Sequence, residues 1–458
     1  MSRHNSFNWT TSTVLYSSQS ISLITRGYVV TTEQIVFPEG VPESRPIWWR
    51  NTKYKSDTGI ENQSKVSMDD LNGAVKSWMR FNDVLAELFS DISIGNGAQS
   101  ELIHLNCSEF PSGCVLVKAD HKIKTTGSIK GRGGVYEVLS YAEDILQSHG
   151  VGCRADPMAL LSSEARNIFE RYRIVVGSTG NLAFSVGMVG RKLGFRVEVH
   201  MSRDAKAWKK VRLRSAGVNV VEHDNDYSHA VAAARAVASS DAFTYFIDDE
   251  NSVKLLVGYS AAALEISNQL EETGIRISHD NPLFVYLPCG VGGAPGGITL
   301  GLKNIFGSNV HCIFVEPVAS PSMLVQLASG SVRPVNVYAC GLSNETIADG
   351  LAVAQASMLV AEVVGHQIAG VATVLDDDLS EWVERMWTLA GLRLEPSGAA
   401  GFAAFARHGS VIRHSFDSSR ASTNIIWTTG GSFFPDLEWA SAREHGQRVL
   451  SSRPNSGG

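Results

Sequence analysis

The chain has 458 residues, of which 44% are hydrophobic and 19% charged, and a formal net charge of -6. That length predicts two or three globular domains with a large core, and the mild acidity gives no electrostatic footing on nucleic acid or an anionic membrane. No apolar run is long enough to span a bilayer, and the six cysteines (Cys107, Cys114, Cys153, Cys289, Cys312, Cys340) show no C-x-x-C pair and no metal-ligand spacing, so they read as reduced thiols of a cytoplasmic protein.

In chain order, the first acidic residue is Glu33, and the Ser- and Thr-containing stretch before it carries Arg3 and Arg26, which keeps a mitochondrial transit segment open as a second reading. Ile47-Trp48-Trp49-Arg50-Asn51 is an aromatic cluster read as core, with a subunit contact as the alternative. Leu71, Val75, Trp78, Leu85 and Leu88 recur at helical spacing and predict a helix over 68–92. From Val115 onward apolar runs alternate with amphipathic segments. Strands are expected at 115–117, 173–176, 197–201, 218–221, 243–247, 283–287, 312–315 and 424–428, with helices at 134–149, 181–193, 228–239, 253–270 and 298–305. The basic segment Lys206 to Arg214 reads as a solvated helix face. Such alternation predicts an α/β fold of two domains, each a mostly parallel twisted sheet flanked by helices. A smaller domain at 131–250 is expected to be inserted into a larger one formed by 1–130 and 251–458.

Four loops carry the candidate chemistry. Thr126 to Gly134 sets Lys130 among glycines at the mouth of a helix, where missing Cβ atoms let backbone amides approach a planar ligand. An amine partly withdrawn from water there suits Schiff-base formation with an aldehyde; a solvated lysine in a turn is the plainer alternative. Val176-Gly177-Ser178-Thr179-Gly180-Asn181 offers hydroxyls, amides and a carboxamide to an oxyanion, or simply a helix cap. Pro288 to Gly297 holds Gly290, Val291, Gly292, Gly293 and Ala294 between a strand and a helix, where amides can converge on a phosphate; it is neither a Walker loop nor a dinucleotide fingerprint. In Trp427 to Ser432, Thr429 can meet a ring nitrogen or merely end a strand. A lysine for an aldehyde, glycines for a phosphate, and an asparagine and a hydroxyl for ring heteroatoms match the needs of pyridoxal 5'-phosphate.

Thr126 to Leu139, Val176 to Leu182, His200 to Gly217, Phe246 to Asn251, Pro282 to Gly297 and Arg393 to Ser397, in that order, resemble the D-serine dehydratase family of fold type II enzymes. The resemblance implies an ammonia-lyase that dehydrates and deaminates D-serine to pyruvate, with another hydroxy amino acid (L-serine, threonine or hydroxyaspartate) or a silent cofactor-binding protein as alternatives. It implies Lys130 as the Schiff-base lysine and catalytic base, and Gly290 to Ala294 as the phosphate loop. Asn181 would contact the cofactor's phenolic oxygen, Ser178, Thr179, Gly180 and Asn181 the substrate carboxylate, and Thr429 the pyridine nitrogen. Asp249 would lie near the substrate hydroxyl or amine. Glu316 would sit beside a metal ion, such as the monovalent cation K+. A monomer or homodimer acting on a small-molecule amino acid, without nucleic acid or membrane partners, follows. Three departures stand out: Ala294 replaces a glycine of the phosphate loop, Asp120-His121-Lys122-Ile123-Lys124 is more basic than the family pattern, and the 332–344 region, which could shape the pocket entrance, matches poorly.

Overall fold

A computed structural model describes residues 24–25, 28–29, 38–56, 65–90, 98–105, 110, 114–178, 180–203, 205–224, 227–416 and 421–452. The chain forms two compact units, Met1–Val36 and Phe37–Gly458. The first contains one antiparallel pair, β1 (Ile24–Thr25) and β2 (Tyr28–Val29). The second contains eleven strands: β3 (Trp48–Arg50), β4 (Leu102–His104), β5 (Cys114–Lys118), β6 (Arg173–Gly177), β7 (Arg196–Ser202), β8 (Asn219–His223), β9 (Thr244–Ile247), β10 (Leu283–Pro288), β11 (Val310–Pro317), β12 (Ile368–Val374) and β13 (Thr423–Trp427).

Seven of these form one sheet in the order β3-β12-β11-β10-β13-β5-β4, whose five central strands are parallel and whose edges β3 and β4 are antiparallel. The other four form a parallel sheet, β8-β7-β6-β9. Strands β10, β11, β12 and β13 are buried at every position, as expected where helices cover both faces of a parallel sheet. Alternation along β10 sends Leu283, Val285 and Leu287 into one core, and Phe284 and Tyr286 into the other, beneath helix Pro396–His414. The Trp48–Arg50 cluster is an edge strand on β12, and the adjacent Asn51 is buried, its amide bonded to the Gly365 and Ile368 carbonyls.

The helix expected over 68–92 runs Met68–Leu88, and the one expected over 253–270 is two helices, Val253–Ser260 and Ala262–Glu272. Near that break the Ser260 hydroxyl donates to the Val257 carbonyl, and the Ser260 carbonyl oxygen occupies the place a Cβ on Gly301 would need. Neither β12 nor the helices Asp376–Ala390, Pro396–His414 and Asp436–Ser452 figure among the sequence expectations. The five described cysteines are free thiols, and Cys107 lies outside the described residues. Among the described residues no helix is long and apolar enough to cross a membrane.

One polar cluster sits inside this apolar frame. Arg132, on the first turn after Lys130, is buried and donates from Nε and Nη2 to both oxygens of Asp120, each at 2.7 Å, and from Nη1 to Glu265 at 2.7 Å. Trp427 Nε1 completes Asp120 at 2.8 Å, and Lys118 binds Glu265 and the Ser100 carbonyl. Burial alone would raise the Glu265 carboxyl, but Arg132 and Lys118 outweigh it and bring it down to about 2. Because that folded value lies below the ordinary one, the pairing contributes stability above the ordinary range, and this is lost as pH falls from about 4.5 toward 2. Replacing Arg132 with Met should cost about 3–5 kcal/mol in urea unfolding at neutral pH, since Asp120 and Glu265 would stay buried without their partner. A loss under about 1 kcal/mol would contradict this role.

Candidate active site

Strands β5, β6, β9, β10 and β13 all point their carboxyl ends toward one cavity of about 360 Å³, the position where open parallel sheets hold ligands. After β5 the chain turns through Gly127 at φ +66°, a left-handed conformation that glycine adopts freely, with the Phe433 ring filling the space a Cβ would take. The Ile129 amide then donates to the Thr429 carbonyl at 2.8 Å, and Ser128 bridges Gly430, so the lysine turn is fastened to the loop after β13. His121 adds a second tie, with Nδ1 at 2.8 Å from the Thr428 hydroxyl; burial lowers it to about 3, leaving the ring neutral at pH 7.

From this turn Lys130 reaches into the cavity, and Nζ meets Asp249 Oδ1 at 2.9 Å and Oδ2 at 2.8 Å. Asp249 follows β9 on a turn held from behind by Glu137, which accepts from the Tyr245 hydroxyl at 2.8 Å and from Ser252 Oγ at 2.6 Å. Burial pushes Glu137 up to about 7, partly offset by those two hydrogen bonds. Ser252 in turn caps helix Val253–Ser260 through the Leu255 amide. The sequence therefore brings two of its catalytic candidates together, although they lie 119 positions apart.

Next to Asp249, β10 ends in Pro288 and the chain enters helix Gly293–Phe306 through Gly292 at φ +110°. A Cβ on Gly292 would stand 2.5 Å from the Met323 methyl, so this position is closed to side chains twice over. The first-turn amides of that helix have no intrahelical partner, and Gly290, Val291, Gly292, Gly293 and Ala294 all line the cavity. Ala294 presents its amide as a glycine would.

On a third side, helix Asn181–Leu193 begins at the cavity. Ser178 Oγ accepts from the Gly180 amide at 3.2 Å, and Asn181 Nδ2 donates to Glu395 Oε1 at 3.1 Å. Thr179 lies outside the described residues. Thr429 also lines the cavity; its Oγ1 is buried and has no hydrogen-bond partner among the described residues, a costly state for a hydroxyl and one that a ligand heteroatom would relieve. An amine, an open amide cradle and an orphaned hydroxyl around one cavity fit the aldehyde, phosphate and ring nitrogen of pyridoxal phosphate.

Glu316 is placed differently. It is fully buried at the end of β11, where Oε1 accepts from the Met323 amide at 2.7 Å and Oε2 from the Leu324 amide at 3.0 Å, at the N-terminus of helix Ser322–Ser329. Burial raises its carboxyl to about 8, against the pull of those bonds. Among the described residues no group of three His, Cys, Asp or Glu side chains gathers as a metal site would need.

Four charged groups at the cavity escaped the sequence reading: Glu395, Asp349, Lys206 and Lys209. Glu395 falls within the Arg393 to Ser397 stretch, whose order of residues gave no hint that its carboxylate would reach Asn181. The entrance is lined by Asp349 to Val353, adjacent to the 332–344 segment, where Val332 is 90% exposed. The basic helix is no merely solvated face. Lys209 pairs with Asp349 at 2.6 Å, Lys210 is buried against Glu222 at 2.7 Å, and the Arg212 guanidinium stacks on the Phe184 ring at 3.5 Å and the Phe433 ring at 4.1 Å. Aromatic partners and long aliphatic stems let such cations lie within the fold.

Residues 95–415 match the family described as pyridoxal-phosphate dependent enzyme. The chain belongs to this family. Its curated relatives include a probable D-serine dehydratase of Rhizobium leguminosarum bv. trifolii (strain WSM2304), 45% identical and covering 88% of this chain and 96% of the relative. Another, of Sinorhizobium medicae (strain WSM419), is also 45% identical, covering 90% and 97%. Among solved structures, diaminopropionate ammonia lyase from Escherichia coli superposes with a TM-score of 0.70 at 17% identity, covering 88% of this chain and 98% of that one, and so shares the fold type II architecture. The cofactor of the family is thus the one whose groups the cavity fits.

Adding a methyl at Gly292 strains its backbone and drives into Met323. Gly292→Ala should therefore weaken pyridoxal phosphate uptake at least about tenfold in an absorbance titration of the apoprotein, a change of about 1.4 kcal/mol. Undiminished affinity would remove Gly292 from the cradle.

Proposed function

We propose that this protein is a D-serine dehydratase, converting D-serine to pyruvate and ammonia. The observation that carries the reading is the Lys130 amine set against Asp249 beside the glycine cradle. Relatives near 45% identity along almost their whole length, described as probable D-serine dehydratases, support it.

Pyridoxal phosphate, when bound, supplies an aldehyde for the amino group and an electron-withdrawing ring that acidifies the substrate Cα–H bond. The chain supplies the rest. Lys130 Nζ would hold the cofactor through its aldehyde and would be the base for the Cα proton. The Ser178 hydroxyl and the backbone amides of Gly180 and Asn181, at a helix start, would hold the substrate carboxylate, a task in which Thr179 would share. The Asn181 amide would serve the phenolic oxygen and the Thr429 hydroxyl the ring nitrogen. A neutral hydroxyl there draws less charge into the ring than an acid would, which favours loss of the β-hydroxyl over racemisation. Asp249, after parting from Lys130, accepts a hydrogen bond from the substrate hydroxyl or amine.

The same reading takes 131–250, which contains every strand of the four-stranded sheet, as the smaller inserted domain, with 1–130 and 251–458 as the larger. It makes the protein a cytoplasmic monomer or homodimer, without nucleic acid or membrane partners. Any cation at Glu316 would have to compete with the helix amides that its carboxylate already accepts from.

Ketoacid release with each serine enantiomer tests the assignment. D-serine should be consumed at least about 10-fold faster than L-serine, and Lys130→Ala should lower that rate by about 10³-fold or more while abolishing the visible absorbance of the lysine-bound cofactor. Equal turnover of both enantiomers, or full activity in Lys130→Ala, would refute it.

A further inference from the structure

We propose that Glu395 is a positioning residue: it sets which end of the Asn181 carboxamide faces the cavity, and through Asn181 it governs how tightly the cofactor is held. The inference rests on the reading of the cavity as a pyridoxal phosphate site.

Glu395 precedes helix Pro396–His414 in the N-cap position, yet its side chain does not cap that helix. It turns instead into the cavity wall, where Oε1 accepts from Asn181 Nδ2 at 3.1 Å. Its backbone is pinned for this task, since the Glu395 amide donates to the Gly430 carbonyl at 3.1 Å and the Gly398 amide to the Glu395 carbonyl at 2.9 Å. The fit is close. A Cβ on Gly430 would collide with Glu395 Oε1 and stand 3.0 Å from Asn181 Nδ2, so carboxyl, carboxamide and glycine form one contact with no room for a side chain at Gly430.

The chemistry of an amide gives this contact a direction. A carboxamide carries two N–H donors on one end and an acceptor oxygen on the other. With Nδ2 facing a carboxylate oxygen, one N–H is taken and the second remains for a ligand oxygen; with the amide reversed, Oδ1 would face an ionised Glu395 oxygen, acceptor against acceptor, so the selection acts in the ionised form, above the value of about 7 to which burial raises this carboxyl. Glu395 thus selects the orientation that presents a donor, the one an electron-rich phenolic oxygen needs. A glutamine at the same place would accept from Nδ2 or donate to Oδ1 equally well, so the selection would vanish while the packing stayed. Asp349, Lys206, Lys209 and Arg212 surround the Glu395 carboxyl, and the Lys209–Asp349 pair at 2.6 Å keeps those two charges engaged with each other.

A double-mutant cycle on the apoprotein, read as pyridoxal phosphate affinity and as the position of the visible absorbance band, tests the proposal. Glu395→Gln should weaken binding roughly tenfold and shift the band in the Asn181 background, and should change neither in an Asn181→Ala background. Glu395→Asp, whose carboxylate falls one methylene short of Asn181, should show a smaller effect with the same dependence on Asn181. It also serves as the measurement if Glu395→Gln does not fold. An equal loss in both backgrounds would mean that Glu395 acts on stability or directly on the ligand, and no loss in either would mean that Asn181 orients itself; both outcomes overturn the proposal. Failure of the unmodified protein to take up pyridoxal phosphate at all would instead strike the underlying reading, and this proposal with it.

Discussion

The structure depends most on a buried guanidinium. Arg132 sits where the segment bearing Lys130 meets three other parts of the chain: the Asp120 turn after β5, Glu265 on helix Ala262–Glu272, and Trp427 at the end of β13 through their shared hold on Asp120. A charge inside an apolar core is expensive unless every donor is met. Here the planar fork meets one carboxylate with two parallel bonds and a second with a third, a geometry a lysine could not provide. The cost of burial thereby becomes a positional constraint: the helix start two residues after Lys130 has one low-energy placement. The Lys130 amine, bonded itself to Asp249, inherits that placement from its neighbour's contacts.

The rest of the cavity is assembled by close approach of backbones. Gly127 admits Phe433, Gly133 admits the Tyr259 ring, Gly292 the Met323 methyl, and Gly430 the Glu395 carboxyl. Further from the ligand, Gly297 and Gly301 let helix Gly293–Phe306 settle onto the carbonyls of Leu256 and Ser260, where the neighbouring helix is interrupted. The same small residues that open amides toward a phosphate thus draw the Asp249-bearing segment close, and the turn of Asp249 stacks directly over Gly293.

Much of this was legible in the sequence. The strands of the four-stranded sheet and β5, β10, β11 and β13 were announced by short apolar runs alternating with amphipathic segments, and the loops after β5, β6, β9, β10 and β13 carry Lys130, Ser178, Asp249, the glycine cradle and Thr429. What stayed hidden has physical reasons. Strand β12, Ile-Ala-Gly-Val-Ala-Thr-Val, is fully buried and built partly of small residues, so it shows neither alternation nor a helical stripe, and Gly370 is there because Trp48 and Trp49 press against it. Helix Pro396–His414 buries more than one face, which blurs its period. Glu395 and Asp349 are acids whose meaning comes from loops folded against them from far away, and no local pattern encodes such a meeting. The basic helix misled for the opposite reason, since charge density alone does not reveal that its cations already have carboxylate and aromatic partners.

Those partners decide how the cavity handles a phosphate. Its lysines other than Lys130 are committed: Lys209 to Asp349 at 2.6 Å and Lys206 to Glu438 at 2.9 Å, while Lys130 itself faces Asp249. Among the described lining residues at the cradle, from Pro288 to Pro295, none is basic. A dianionic group would therefore be held by amides and by the positive end of helix Gly293–Phe306 rather than by side-chain cations. Amides are fixed in place by the backbone, cannot be neutralised by a proton, and leave the one reactive amine free of competition from the phosphate. In the proposed reaction Lys130 would exchange Asp249 for substrate while an anchor made of backbone amides stays in place.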